Sequence, residues 1–350
     1  MKSRFKANAL LTVCIVAYVL CYAALRLTLY KGKIPLYLTF VPSVFGTVVF
    51  TAAGVVLHEL GHLAAGKIQG FKVLKIGFTG FTFDFSGGKK FSFSGKREYA
   101  GLCELVPTRS GNMEKRFSMT VFGGIIGHII IITVNIVLFA VFNAVFLRFF
   151  FLSFFLNVYF LLLNALPEIN ESGDGNIIKN VKKRTADGKA IINVLEITSR
   201  LYQGETPSEI DSAFFERSDG VSVFSAALLY YVYYRALDIG DPVEIKKEAE
   251  KLESVINFFG GDSYGAVAGE LLYVAAVNND FENVNKYKDA ALCYCEGVNS
   301  PTSLRILASY GKFIGDAKWA ELSRKTGLKL CGSYFMKGSA SVEKKLLEKL

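Results

Sequence analysis

The chain has 350 residues, enough for two domains, with 51% hydrophobic residues, 14% aromatic residues and a net charge of +9. The charge is uneven: up to Gly175 there are 17 Lys/Arg against 8 Asp/Glu, and from Asn176 onward 23 against 23. A basic excess confined to the apolar half marks membrane topology and argues against a nucleic-acid partner. Six cysteines with no C-x-x-C pair, two of them inside an apolar run, argue against a disulfide framework and for reduced thiols.

Four runs carry no charge: residues 8–25, 34–57, 117–147 and 149–167. A spanning helix needs about 20 residues, so four spans are expected, at about 8–30, 34–65, 117–147 and 149–167. The first has no small-residue cleavage site after it and reads as a helix, not a signal peptide. Of the basic residues around these runs, 13 lie in the N-terminal tail and segment 66–116, and four lie between spans one and two or three and four. The positive-inside rule then puts both termini and segment 66–116 in the cytoplasm of a multi-pass cell-membrane protein. The expected fold class is an α-helical membrane protein of about four transmembrane helices with a small β-hairpin insertion, followed by a soluble all-α domain.

The second span ends in His58-Glu59-Leu60-Gly61-His62. At i and i+4 the histidines share one helix face and can bind one Zn²⁺ ion, while Glu59 can take a proton from a bound water. Ionisable groups at the end of a membrane helix are costly without a function. In loop 71–112, residues 81–95 alternate Phe with small or polar residues about Ser86-Gly87-Gly88-Lys89-Lys90. That reads as a β-hairpin with Phe83, Phe85, Phe91 and Phe93 on one face. It suits a hairpin resting on the lipid bilayer, an edge strand that pairs with an extended substrate, or both.

The third span opens with Phe122-Gly123-Gly124-Ile125-Ile126-Gly127-His128, whose small residues permit close helix packing. The fourth runs through Asn164 to Pro167, which stops it, and a polar turn ends at Asp174-Gly175. A catalytic zinc takes three protein ligands plus water, and the third ligand has four candidates: His128, Glu168, Glu171 and Asp174. Residues 176–350 read as a cytoplasmic helical domain with a weak repeat. Apolar helices close at Asp241, Asp280 and Asp316, each with a small residue (Ala236, Ala275, Gly311) five positions earlier. Helix-hairpin repeats of this kind resemble tetratricopeptide arrays and can recruit a protein partner.

Over about residues 1–180 the chain resembles the site-2 proteases, zinc metalloproteases that cut within or next to the membrane. Three motifs carry the resemblance: His58-Glu59-Leu60-Gly61-His62, the glycine-rich start Gly123-Gly124, and Asn164, Pro167, Asp174 and Gly175 as Asn-x-x-Pro followed by Asp-Gly. His128 stands where the family pattern often has asparagine, and the gap from Pro167 to Asp174 is longer, as in some bacterial members. The resemblance implies a bacterial intramembrane zinc endopeptidase domain over 1–175 acting on a membrane protein or peptide substrate. It implies His58, His62 and Asp174 as Zn²⁺ ligands, Glu59 as general base, and Asn164 as a residue that holds substrate or the oxyanion. His128 would either add a polar group there or pack against the small residues of its helix. The alternatives are a non-proteolytic zinc-binding membrane protein and a membrane-anchored repeat scaffold. A structural zinc has no need of Glu59.

Overall fold

The computed structural model describes residues 2–31, 33–78, 80–85, 90–93, 100–170, 173–216 and 222–350. All but Lys90 of the turn expected at 86–90 lies outside them, as does Glu171. By contacts the chain forms two compact units. The first ends at Lys183, and the second comprises Val106–Met113 and Arg184–Leu350. The boundary thus falls beyond the expected 175/176, because the helix that starts at Asp174 packs with the first unit.

The first unit is built from α1 (Lys2–Ala24), α2 (Tyr37–Ile68), β1 (Phe71–Phe78), β2 (Phe81–Asp84), β3 (Lys90–Phe93), β4 (Gly101–Pro107) up to Leu105, α3 (Met113–Val141) from Glu114 on, α4 (Val145–Phe150), α5 (Phe154–Ala165) and α6 (Asp174–Lys183). Among the described residues four helices are long and apolar enough to cross a membrane: Phe5–Thr28, Tyr37–Ile68, Met113–Val141 and Val145–Ala165. Their boundaries shift by a few residues from the expected ones, most at the junction of spans three and four. Arg148 does not separate spans three and four. The break falls at residues 142–144, and Arg148 folds back to cap it, donating to Asn143 Oδ1 at 2.6 Å and Phe142 O at 3.4 Å.

The fourth span bends through a short 3-10 turn, Phe151–Ser153, that separates α4 from α5. Backbone groups freed inside an apolar bundle must find partners. Asn135 of α3, fully buried, supplies them: its amide nitrogen donates to Phe151 O (3.0 Å) and its oxygen accepts from Ser153 Oγ (2.7 Å) and Phe154 N (3.1 Å). Around this turn Phe50, Ile131, Phe149, Phe151 and Leu152 form the buried apolar core.

The insertion is a four-stranded sheet of order β3-β2-β1-β4, larger than the hairpin expected. The hairpin within it pairs Phe81 with Phe93 and Phe83 with Phe91. The four phenyls are 40–65% exposed and meet in tilted cross-strand contacts, Phe81–Phe93 at 4.9 Å and Phe83–Phe91 at 5.1 Å. Arg116, buried in the first turn of α3, donates to the carbonyls of Gln69 (2.7 Å) and Gly70 (3.2 Å) and covers the Phe71 ring. This clamp ties the start of α3 to the end of α2.

The second unit is helical: α7 (Ala186–Gln203), α8 (Val223–Ile239), α9 (Pro242–Ser254), α10 (Gly261–Val277), α11 (Phe281–Gly297), α12 (Pro301–Phe313), α13 (Ala317–Cys331) and α14 (Lys337–Lys349). The repeated Asp is the N-cap of each hairpin's second helix. Asp241, Asp280 and Asp316 accept from the backbone N–H of Val243, Asn283 and Trp319. The small residues before them lie in the packed interface; a Cβ on Gly311 would come within 3.0 Å of Ala320 N.

Candidate metal centre

Close backbone approach between α2 and α3 creates the site. A Cβ on Gly61 would fall 2.1 Å from Gly123 O, one on Gly123 2.3 Å from Gly61 O, and one on Gly127 2.2 Å from Leu57 O. Only glycine permits such a crossing. Gly124 makes room for the ligands themselves, because a Cβ there would lie 2.5 Å from His62 Nε2 and 2.7 Å from His58 Cε1.

His62 Nδ1 lies 3.1 Å from Thr120 O. A carbonyl can only accept, so Nδ1 carries the proton and Nε2 presents its lone pair. His62 Nε2 is 3.1 Å from His58 Nε2, and Asp174 Oδ2 lies 3.4 Å from the first histidine and 3.5 Å from the second. The three ligand atoms lie within 4.8 Å of one another and could hold a metal ion. Four tetrahedral ligands about 2.1 Å from an ion stand about 3.4 Å apart, as this triangle does. Asp174 is the first residue of α6. Burial lifts its carboxyl to about 6, with the nearby His62 opposing. Oδ2 has no hydrogen-bond partner, and no Lys or Arg pairs with Asp174 among the described residues. The His62 lone pair and the Asp174 carboxylate oxygen converge on one point. The donor set fits a divalent ion of the zinc type.

Of the other third-ligand candidates, Glu171 is outside the described residues and the remaining two are not among the ligand atoms. Glu168 is exposed and pairs with Lys179 at 3.4 Å. His128 is buried beside the centre, its ring 4.8 Å from that of His58, but it is not in the ligand group. Gly175 serves close packing: it is helical, and a Cβ there would fall 2.0 Å from Ala165 O. This approach seats α6 against the end of α5.

Glu59 is buried, and the β4 backbone passes over its carboxyl; a Cβ on Gly101 would lie 2.2 Å from Oε1. Asn164 lies 3.4 Å from His128 Nε2 through its amide nitrogen, which also donates to Phe160 O at 3.1 Å. Three contributors escaped the sequence reading: Thr120, Gly101 and Asn157. For the first two no local pattern marks the contact. Asn157, a fully buried amide inside an apolar span, carried a signal in its polarity alone.

No protein-family profile matches this chain, and neither a curated protein nor a solved structure is significantly similar to it.

Proposed function

We propose that this protein is an intramembrane zinc endopeptidase of the site-2 protease type, with His58, His62 and Asp174 as ligands and Glu59 as general base. The observation that carries the reading is the 3.1, 3.4 and 3.5 Å triangle of ligand atoms with a buried carboxyl one residue from the first histidine. Zinc held there would supply a Lewis acid that polarises a peptide carbonyl and makes water more acidic.

The chain's own groups do the rest. A Glu59 carboxylate oxygen takes the proton from the attacking water and passes it to the leaving amine nitrogen. The β4 backbone shields that carboxyl on one side, which limits competing solvent. Thr120 O holds His62 in the tautomer that ligates. A helical substrate hides its amides, so it must unwind before its carbonyl is reached. In the order β3-β2-β1-β4 both β3 and β4 are edges, and β4 is the one beside Glu59. Strand addition therefore belongs to β4, while the exposed phenyl face of β2 and β3 suits the bilayer surface.

The test is metal analysis of the purified protein with cleavage of dual-tagged single-span peptides in vesicles. Wild type should hold one zinc and cleave; His58→Ala should do neither. A wild type that holds no zinc and cleaves nothing overturns the reading.

A further inference from the structure

Behind the ligands a second buried polar group reaches into the apolar bundle. His128 is 2% exposed and Asn157 0%, on α3 and α5. Their hydrogen bonds fix which atom is which. Asn157 Nδ2 donates to Phe50 O at 3.2 Å, and a carbonyl cannot donate, so Oδ1 is the free end of that amide. Asn164 Nδ2 donates to Phe160 O, so it also meets His128 as a donor, and His128 Nε2 accepts. A neutral imidazole that accepts at Nε2 carries its proton on Nδ1.

His128 Nδ1 and Asn157 Oδ1 are both buried with no partner among the described residues. Both face the space where residue 54 has no side chain: a Cβ on Gly54 would lie 2.2 Å from Asn157 Oδ1 and 3.8 Å from His128 Nδ1. A donor and an acceptor thus confront each other across a notch that only glycine leaves open. A hydrogen bond between them would satisfy two groups that are each costly to bury alone.

We propose that His128, backed by Asn157 across the Gly54 notch, is a positioning residue that sets the direction of the Asn164 amide. The inference rests on the endopeptidase reading. With both amide hydrogens of Asn164 committed to Phe160 O and His128 Nε2, its Oδ1 is the free group. Asn164 then meets substrate as the acceptor of a peptide N–H, and it does not donate to the oxyanion.

The kinetic split separates these roles. An acceptor for a substrate N–H contributes to binding in ground and transition states alike, so its loss raises KM and spares kcat. An oxyanion donor lost would lower kcat, by about 10²–10³-fold. The experiment measures zinc content, kcat and KM for full-length protein in vesicles with a single-span peptide that wild type cleaves. Asn164→Ala should raise KM about 5-fold with kcat little changed. His128→Ala and Asn157→Leu should do the same, with zinc content at the wild-type level. His128→Gln, whose amide oxygen can accept from Asn164, should recover most of the loss. On an Asn164→Ala background, His128→Ala should add nothing further, because the two act in series. The inference is overturned by a fall in kcat at constant KM, by additive effects in the double variant, by zinc loss in His128→Ala, or by a Gln variant no better than Ala. Each leaves the endopeptidase reading standing so long as wild type cleaves and Glu59→Gln does not; a wild type that never cleaves overturns both.

Discussion

Each compact unit buries a three-membered cluster of ionisable side chains, and the two are satisfied in opposite ways. In the repeat unit Arg305 lies between Glu270 (2.8 Å) and Glu343 (2.6 Å), all three essentially unexposed. Tyr233 donates to Glu270, Tyr234 and Thr302 donate to Glu343, and the Tyr273 ring lies 4.1 Å from the guanidinium. Only Arg305 Nη1 lacks a partner among the described residues. The unit with the four apolar helices instead converges two imidazole nitrogens and a carboxylate oxygen within 4.8 Å of one another. A buried cluster that carries its own countercharge is structural; the other group pairs with no Lys or Arg among the described residues and could hold a metal ion.

Substitution should break this contrast cleanly. The largest effect belongs to Asp174→Ala, which removes a ligand atom: zinc affinity should fall about 10-fold or more and cleavage should vanish. Glu168→Ala, which removes an exposed partner of Lys179, should keep both. Zinc at wild-type occupancy in Asp174→Ala would sink the ligand assignment. Glu59→Gln should retain zinc and lose about 10²–10⁴-fold in turnover, because it removes the proton acceptor and leaves the triangle intact. If zinc leaves with Glu59 as it does with His62, Glu59 is structural.

The repeat cluster should answer in stability. Arg305→Met strands two buried carboxyls and should cost about 3–5 kcal/mol in denaturant unfolding, with zinc content unchanged. Replacing all three members by apolar residues of similar volume should be far milder, near neutral by the same reasoning. No triple apolar replacement can rescue the other centre. A triple variant as damaging as the single one would mean the cluster does more than neutralise itself.

What the sequence disclosed follows the same division. The grouping of His58, His62 and Asp174 was legible through helix spacing and a recognisable loop, and Gly123 and Gly124 announced the close crossing. The repeat hairpins were legible through Asp241, Asp280 and Asp316, whose capping role is local. Contacts set by tertiary path were not: Thr120 on His62, Gly101 on Glu59 and Asn157 across the notch depend on how separate helices and a strand meet. The break at 142–144 was missed because charge was taken as the mark of a loop. Arg148 sits inside the following helix and reaches back to cap it. Asp174 opens a helix that packs on α5, so the boundary between units moved outward to Lys183.

The smallest expected effects lie in the caps, and they test whether the second unit behaves as a stack of equivalent hairpins. Asp241, Asp280 and Asp316 each satisfy a backbone N–H at the start of a second helix, so replacement by Ala should cost about 1 kcal/mol apiece. The caps are 39 and 36 residues apart in sequence and share no hydrogen-bond partner, so a triple variant should lose close to the sum. The three need not be equal. Pro242 follows Asp241 at the first helical position and holds that helix start by its fixed φ even without the cap. Asp280 has no such support, and its carboxylate also accepts from the Asn283 side chain at 2.7 Å. Asp280→Ala should therefore be the costliest of the three and Asp241→Ala the mildest, read from urea midpoints of the full-length protein. The reverse order, or a triple variant no worse than a single one, would mean that the hairpins are held by packing alone and that the repeated aspartates mark turns without stabilising them.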